Sequence, residues 1–302
     1  MIFEGYTALG EKVNLGNPVS VKISRDEDAP ADGFSGTFPG SGFPELSHVK
    51  AYDGNTLYFY GIIDEQSEVY ETGGISLKLA ARSMAAPLLD NEAEPQTYTG
   101  PSLQAIYLRH AAPYGLKGCL GKQGSQGGKL TVSKGMSDWQ VVEQFCTSFL
   151  GVVPKVTAAG VLDASGMRSG KSALFGTGGY PLLSASVRRK PYALLSDLYV
   201  QTEKGGAYSA HLQSRKADAS GIRRKRYVFF ASTRDAELLL RQAERDAWEI
   251  ELEAAGWPDL EIGGGASVRD SRLGKWEGLI VSSLHLFLDS SGKRCRLVLK
   301  GA

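Results

Sequence analysis

The chain has 302 residues, of which 42% are hydrophobic and 22% charged, as in an ordinary globular protein. Its formal net charge of +1 argues against a surface built as a whole to bind nucleic acid or an anionic membrane. No apolar run approaches the roughly 20 residues that span a bilayer, and the N-terminus lacks a signal-peptide pattern. We therefore expect two or three domains of ~100–200 residues each, made in the cytoplasm.

Residues 1–90 are typical of a first β-barrel-like domain. Val21 and Ile23 alternate with polar residues, which indicates a half-buried strand. The turn Asp53-Gly54-Asn55 separates two apolar runs and predicts a hairpin. The segment from Asp26 to Phe43 is rich in Gly, Pro, Asp and Ser, which predicts a long exposed loop.

Residues 91–168 predict a small α/β module with two short helices. Ser102 and Ser137 stand at N-cap positions, and Ser137 with Gln140 fits a capping box. A glycine follows each apolar helical pattern, at Gly115 and Gly151, where the helix has to end.

Residues 169–302 predict a second β-barrel-like domain with a long inserted helix over 233–256. The helical pattern ends at a glycine and a proline, and alternating apolar segments lie on both sides of it. The predicted fold class is β-rich α+β: two β-barrel-like domains flank the small α/β module, and one long helix lies in the C-terminal β region.

The middle of the chain resembles a known family. The run from Asp90 to Tyr98, residues 101–118 (PSLQAIYLRHAAPYGLKG) and residues 132–146 (VSKGMSDWQVVEQFC) are similar to the late-control-protein hub family of contractile phage tails and tail-like injection systems. The resemblance extends through most of the chain and is sharpest between about Leu77 and Leu162.

The resemblance implies a structural baseplate hub rather than an enzyme. Hubs of this family are homotrimers whose chains each carry two related β domains, so that three chains present a pseudo-sixfold ring to a hexameric tail tube. The implied partners are the tube protein, a trimeric central spike, other baseplate proteins and DNA passing through the channel. We expect synthesis in the bacterial cytoplasm, incorporation into the baseplate of a virion or tail-like bacteriocin, and a spike on a separate polypeptide.

Motifs for nucleotide or acyl chemistry are incomplete. The stretch from Gly166 to Ser172 approximates a P-loop, but its glycine spacing is one residue short and no buried strand precedes it. Ser47 and Lys50 have the spacing of some acyl enzymes, yet on a strand they point to opposite faces. The sequence therefore predicts no catalytic residue and no cofactor.

The spacing of the histidines, cysteines and acidic residues does not indicate a metal site or a catalytic pair of carboxylates either. The four histidines lie far apart, and the three cysteines lack metal-ligand spacing and are better explained as buried free thiols. Asp90, Glu92 and Glu94 could supply a carboxylate pair for glycoside hydrolysis, but a solvated turn is the simpler interpretation. We predict no metal site.

Two basic runs are candidates for the channel or for contacts between subunits. Non-specific phosphate contacts need only clustered cations, and solvated strand ends are an equally good explanation. The candidate residues are Arg188, Arg189, Lys190, Arg223, Arg224, Lys225 and Arg226.

Two other classes of function stay open. A cell-wall or carbohydrate-binding protein could stack sugars on exposed aromatic residues such as Tyr58, Tyr60 and Trp257. A β-rich hydrolase could assemble its site from residues distant in sequence, and turnover on glycan or peptide substrates would reveal it.

Overall fold

The computed structural model describes residues 1–166, 170–203, 205–229 and 233–301, with the backbone alone at 233 and 234. The predicted β-rich α+β class is confirmed, because long antiparallel strands dominate and the helices are few and short. Within the described ranges, no helix is both long and apolar enough to cross a membrane.

The first strand-rich region contains β1 (Ile2–Tyr6), β2 (Lys12–Asn14), β3 (Ser20–Asp26), β4 (Ala29–Pro39), β5 (His48–Asp53), β6 (Thr56–Glu71) and β7 (Gly74–Ser83). These strands pair antiparallel in the order β3-β4-β7-β6-β5-β1-β2. The predicted turn at Asp53–Thr56 joins β5 to β6, with Gly54 in the left-handed region at φ 57°.

Strand β4 corrects the loop predicted from Asp26 to Phe43. That prediction was wrong because Phe34 and Phe38 lie among small residues that look like a loop in sequence, yet both are buried in the sheet. A Cβ on Gly36 would lie 2.7 Å from the Phe38 ring and 3.0 Å from the Phe34 ring. The glycine therefore leaves space for the two aromatic rings rather than marking a turn.

The middle module contains α1 (Ala86–Asp90), β8 (Gln96–Thr99), α2 (Leu103–His110), β9 (Cys119–Gly121), β10 (Lys129–Val132), α3 (Asp138–Phe145), β11 (Lys155–Val156) and β12 (Leu162–Ala164). Both predicted N-caps are present: the Ser102 and Ser137 side chains accept hydrogen bonds from Ala105 N and Gln140 N, and Ser137 forms the full capping box. Helices α2 and α3 pack on each other around a buried core of their own.

The third region contains β13 (Ser172–Gly176), β14 (Leu182–Arg189), β15 (Asp197–Gln201), β16 (Ala210–Gln213), α4 (Arg215–Ala219), β17 (Lys225–Phe229), α5 (Thr233–Asp246), β18 (Trp248–Ala255), β19 (Gly265–Asp270), β20 (Gly274–Asp289) and β21 (Gly292–Gly301). Strands β15, β16 and β17 form a separate three-stranded sheet, called the small sheet below.

The helix predicted over 233–256 ends at Asp246, ten residues early. Residues Trp248–Ala255 form β18, in which Ile250, Leu252 and Ala254 point to a buried face. The helix prediction was wrong for Trp248–Ala255 because apolar residues at every second position fit a strand rather than a helix. Strand β18 pairs with β14 on one side and β21 on the other.

The two strand-rich regions share one sheet. Strand β3 pairs antiparallel with β20, with Ile23 opposite Leu286, so the strand path runs from β14 through β20 and β3 to β2. Buried residues of both regions belong to one core, for example Phe59 and Leu297. The domain limits at residues 90 and 168 stay a prediction, because a shared sheet does not show which parts fold independently.

Candidate interaction surfaces

The small sheet has one face buried against the inserted helix. Strand β15 pairs antiparallel with β16 and parallel with β17. Leu198 and Val200 are fully buried and cluster with Ala236 of α5. Because side chains alternate along a strand, the residues between them point to the opposite, open face.

The open side of the small sheet carries an aromatic face, which consists of Tyr199, Tyr208, His211, Tyr227 and Phe229. The Tyr199 ring lies between the rings of His211 and Tyr227, with centroids 4.3 Å and 4.9 Å away and planes nearly parallel. Tyr208 meets Tyr227 edge-on at 5.1 Å. Tyr227 is 54% exposed and Phe229 55%, so the face is a large aromatic surface open to solvent.

Asp197 fixes the polar edge of this face. Its Oδ1 accepts hydrogen bonds from His211 Nε2 at 2.9 Å and Gln213 Nε2 at 3.2 Å, and its Oδ2 accepts one from Ser196 Oγ at 2.7 Å. The hydrogen bonds from Ser196, Gln213 and His211 hold the pKa of Asp197 below its usual range. The carboxylate is therefore ionised at neutral pH and orients the His211 ring.

The second basic run lies at the start of β17. Arg223 pairs with Asp218 at 2.5 Å, and the Arg224 backbone binds Ser196. Lys225 and Arg226 are exposed, and within the described ranges Arg224, Lys225 and Arg226 make no ion pair. Strand alternation places Lys225 on the same side as Tyr227 and Phe229. Lys225 therefore adjoins the aromatic face, opposite Asp197 in the strand register, whereas Arg226 lies opposite the buried Leu198.

The first basic run is mostly neutralised inside the chain. Arg188 lies 3.4 Å from Glu249 and 3.1 Å from Glu251, and Lys190 lies 2.7 Å from Glu249. Arg189 is exposed and has no ion pair among the described residues. The second run thus keeps more unpaired positive charge than the first. The predicted role of both runs, in the channel or in contacts between subunits, stays a prediction.

A buried polar network lies between α2 and α3. His110 Nδ1 lies 2.6 Å from Asp138 Oδ1, and Tyr114 donates a 2.6 Å hydrogen bond to the other oxygen of Asp138. The far nitrogen of His110 lies 2.8 Å from the hydroxyl of Tyr98. A histidine–aspartate pair resembles part of a catalytic triad, but a phenol occupies the place of a serine or cysteine nucleophile. The network therefore fits a structural role, in which its hydrogen bonds hold α2 and α3 together.

The aromatic residues predicted to stack on sugars lie elsewhere. Tyr58 and Trp257 are each 5% exposed and pack against each other at 5.2 Å, with the Tyr58 hydroxyl bound to the Trp257 carbonyl. Burial raises the pKa of Tyr58 to about 12. Tyr60 is half-buried beneath Lys50 and Lys117. Choosing Tyr58 and Trp257 as exposed sugar platforms was wrong, because both are core residues.

A cleft of about 520 Å³ lies where the three regions meet. Glu27 inside it accepts hydrogen bonds from Arg245 at 2.7 Å and from Lys300 at 2.5 Å. Burial alone would raise the pKa of Glu27, but the hydrogen bonds from Lys300 and Arg245 outweigh it and hold the pKa below its usual range. Arg25 pairs with Asp32 at 3.2 Å in the same cleft. The pairs that Glu27 forms join the first strand-rich region to the third, whereas the Arg25–Asp32 pair lies within the first region.

Other candidates from the sequence do not converge on a site. Residues 167–169 of the segment compared with a P-loop lie outside the described residues, and Lys171 pairs with Asp259 at 2.8 Å. Asp90 pairs with Arg82, and Glu94 pairs with Arg109. In the part of the chain that the structure describes, no group of three or more His, Cys, Asp or Glu side chains is placed to hold a metal ion.

Comparisons with known proteins agree on the fold. No family model and no curated protein sequence matches the chain. Among solved structures, a tail protein from Neisseria meningitidis matches with a TM-score of 0.80 and 17% identity, covering 99% of this chain and 96% of that one. The 43 kDa tail protein of prophage MuSo2 from Shewanella oneidensis gives 0.78 and 15%, covering 99% and 97%. The chain has the fold of these phage tail proteins.

A third match extends this fold to secretion systems. It is an Escherichia coli protein described as a component of the type VI secretion system with structural similarity to the T4 bacteriophage tail proteins gp27 and gp5. The TM-score is 0.60 at 5% identity, over 95% of this chain and 74% of that one. The resemblance to tail hub proteins is therefore confirmed at the level of the fold.

The aromatic face was missed by the sequence analysis. The signal was present in Tyr227-Val228-Phe229, where aromatic residues at every second position follow a basic run. Its partners Tyr199 and His211 lie on two other strands, and only their pairing brings the three rings together.

Proposed function

We propose that the chain is the structural hub of a phage tail or related injection device. In this role it forms a homotrimer, binds the hexameric tail tube on one side and the trimeric central spike on the other, and surrounds part of the central channel. The observation that carries the proposal is the whole-chain match: the fold of the Neisseria meningitidis tail protein spans 99% of this chain at a TM-score of 0.80.

The presence of two strand-rich regions in one chain supports this role. Each chain contributes one strand-rich region before the middle module and another after it, joined through β3 and β20. A trimer with two similar surfaces per chain presents six of them, which matches the symmetry of a hexameric tube. The mechanism is mechanical, with no bond made or broken. The chain is made in the bacterial cytoplasm and acts within the baseplate.

Basic residues contribute to the channel or to subunit contacts in this proposal. Arg189, Arg224, Lys225 and Arg226 have charges that no described carboxylate neutralises. Such cations hold phosphates without base recognition, as transient passage of DNA requires. Arg188 and Lys190 contribute less, because Glu249 and Glu251 already neutralise them.

The mass in solution tests the proposal. The purified chain, alone and mixed with its tube protein, is measured by light scattering after size-exclusion chromatography. We expect a particle of three times the chain mass of 32.4 kDa, and a larger complex when tube protein is added. If the chain stays monomeric and does not bind tube protein, at concentrations far above those expected during assembly, the proposed hub function is wrong. Binding of that monomer to purified cell wall would favour the carbohydrate-binding alternative.

A further inference from the structure

The two strand-rich regions are built on the same plan. Neighbouring strands run β3-β4-β7-β6 in the first region and β14-β18-β21-β20 in the third. Strands β6 and β20 have 16 residues each, and β7 and β21 have 10 each. Equivalent turns join each long pair, with Glu71 opposite Gly74 in one and Asp289 opposite Gly292 in the other. Strand order, strand length and turn therefore repeat within the chain.

The irregularities of the two long strands repeat as well. The register shifts between Ile63 and Glu65 in β6 and between Val281 and Ser283 in β20, at the same distance from the turn that follows. Such bulges re-aim a strand and change which of its residues face a neighbour. Strands β6 and β20 are therefore equivalent residue by residue between bulge and turn.

The loops that follow β4 and β18 are equivalent too. Gly40 N donates a hydrogen bond to Ile75 O after β4, and Gly256 N donates one to Lys293 O after β18. The two acceptors lie one residue beyond the glycine that opens β7 and β21, respectively. The correspondence between the regions thus covers strands, bulges and loops.

The two long strands differ in what pairs with their second half. Strand β20 pairs there with β3, from Ser283 opposite Asp26 to Leu288 opposite Val21. Strand β5 ends opposite Ile62, and no other described strand pairs with β6 on that side after the bulge. This half of β6 is an unpaired edge, which can accept another strand.

Strand β14, the equivalent of β3, has the complementary free edge. Among the described strands it pairs with β18 alone, whereas β3 pairs with both β4 and β20. Lys190 N donates to Ala247 O just beyond the strand. Because bonding alternates along an antiparallel ladder, the backbone groups of Arg189, Val187 and Ala185 point away from β18. They lack the strand that β3 has.

The loop after β4 leaves the edge of β6 accessible. Glu68 and Gln66 hold this loop by accepting hydrogen bonds from Gly42 N and Leu46 N. The equivalent loop after β18 lies equally close to β20, since Trp257 Nε1 donates to Phe287 O at 2.8 Å. Strand β20 nevertheless pairs with β3. A loop in this position is therefore compatible with strand pairing.

We propose that the second half of β6 in one copy pairs antiparallel with β14 of the next copy, as β20 pairs with β3 inside the chain. A second copy is the occupant because β14 is built like β3 and lacks the partner that β3 has. The contact is head-to-tail, so three copies close a ring and both edges disappear. This inference rests on the proposed trimer and names the strands that hold it together.

The pairing inside the chain also sets the register between copies. Counted from the turns, Val69 takes the place of Phe287. Counted across β18 and β21, Ser186 takes the place of Lys22. Because Lys22 stands opposite Phe287, Ser186 of the next copy stands opposite Val69.

The side chains that meet in this register are complementary. Arg189, exposed and without an ion pair among the described residues, stands opposite Gln66. Glu68 lies on the same side of β6 as Gln66, within diagonal reach of that guanidinium group. Tyr70 is 69% and Leu183 56% exposed, and both lie at the other end of the contact. The pairing therefore gives a charge and two apolar side chains the partners that they lack in the single chain.

A disulfide between copies tests the register. Val69→Cys with Ser186→Cys, in a Cys119→Ser background, places two thiols at a pair without backbone hydrogen bonds between them. Their Cα atoms are then about 4.5 Å apart, within the range that a disulfide spans. After mild oxidation we expect linked dimers and trimers on a denaturing, non-reducing gel, and nothing larger.

Two matched pairs serve as controls in the same background. Lys22→Cys with Phe287→Cys has the equivalent geometry inside one chain, so it should close without linking chains. Glu65→Cys with Ser184→Cys uses the same two strands and the same face, but about 20 Å apart in the proposed register. This second pair should link chains at least about 10-fold less, because a disulfide cannot span that distance.

A proline tests the backbone pairing without a covalent link. Arg189→Pro removes an N–H group that points away from β18, so the ladder inside the chain is kept. We expect it to weaken the trimer at least about 10-fold more than Arg189→Ala, which keeps the N–H group. Light scattering over a concentration series gives each dissociation constant, and circular dichroism confirms that both variants are folded.

The outcomes distinguish this inference from the proposed function. If the wild-type chain is a monomer, the hub function fails. If wild type is a trimer but Val69→Cys with Ser186→Cys links no chains, while the pair inside the chain closes, the strand pairing is overturned and the hub stands. Equal linking by the distant pair, linked species larger than three chains, or equal dissociation constants for the proline and alanine variants also overturn the pairing.

Discussion

His110 and Asp138 form a buried pair in which Nδ1 of the histidine lies 2.6 Å from Oδ1 of the aspartate. The two residues come from different helices, at the end of α2 and the start of α3, and are 1% and 4% exposed. Tyr98 and Tyr114 complete their hydrogen bonds. The network thus fixes the two capped helices relative to each other, in addition to the apolar contacts between them.

Removing the aspartate should destabilise the chain. Asp138→Ala leaves the buried His110 Nδ1 and the half-buried Tyr114 hydroxyl without their partner, so we expect a loss of about 2–3 kcal/mol in the free energy of unfolding. Tyr114→Phe removes a single hydrogen bond and should cost about 1 kcal/mol. Urea unfolding followed by fluorescence measures both. Equal stability of wild type and Asp138→Ala would show that the network contributes nothing.

The buried Glu27 predicts a pH-dependent contribution to stability. Its folded-state pKa is lower than the ordinary 4.5, so the folded state binds fewer protons than the unfolded state around that pKa. The contribution is therefore complete above about pH 4.5 and is lost as the pH falls through the folded-state pKa. At pH 7 we expect Glu27→Gln to cost about 3 kcal/mol, because Arg245 and Lys300 lose a shared carboxylate.

The measurement compares the two proteins across pH. The difference in free energy of unfolding between wild type and Glu27→Gln should be constant from about pH 5 to about pH 8 and shrink below about pH 4.5. Asp32, whose pKa burial raises to about 6, is present in both and cancels. A difference that does not change between pH 7 and pH 3 would contradict the lowered pKa.

Two glycines in strands should respond oppositely to alanine. A Cβ on Gly61 would lie 2.1 Å from the Arg82 carbonyl oxygen in the neighbouring strand, whereas a Cβ on Gly33 meets nothing within 4 Å. We expect Gly61→Ala to cost about 3 kcal/mol or more through strand displacement, and Gly33→Ala to be neutral or stabilising by up to about 1 kcal/mol. Thermal unfolding measures both. Similar unfolding temperatures for the two variants would disprove the close approach.

Local signals in the sequence predicted part of this fold. Ser102, Ser137 and the turn after Asp53 were correctly interpreted because caps and hairpin turns depend on neighbouring residues. Strand β4 was missed because Phe34 and Phe38 are separated by small residues whose role, to make room for the rings, appears only in the packed sheet.

The candidate surfaces were predictable only in part. Both basic runs, Arg188–Lys190 and Arg223–Arg226, are visible in the sequence. The sequence does not show that nearby carboxylates neutralise most of the first run and little of the second. That difference arises because β14 pairs with β18, which places Glu249 and Glu251 beside Arg188. The stacking of Tyr199 between His211 and Tyr227 likewise needs the register of three strands.

The cysteines provide a final test of the core. Burial raises the pKa of Cys146 and of Cys295 to about 12, and it also raises the pKa of the half-buried Cys119 thiol. A thiol far below its pKa is almost wholly protonated, so at pH 8 we expect Cys146 and Cys295 to react with a thiol reagent at least about 1000-fold more slowly than a free cysteine. In about 6 M guanidinium chloride all three thiols should react at the rate of a free cysteine.

Mass spectrometry of labelled peptides assigns each site, and Cys119→Ser serves as the control that removes the most accessible thiol. Rapid labelling of Cys146 in the native chain would mean that the core between α2 and α3 is open to solvent.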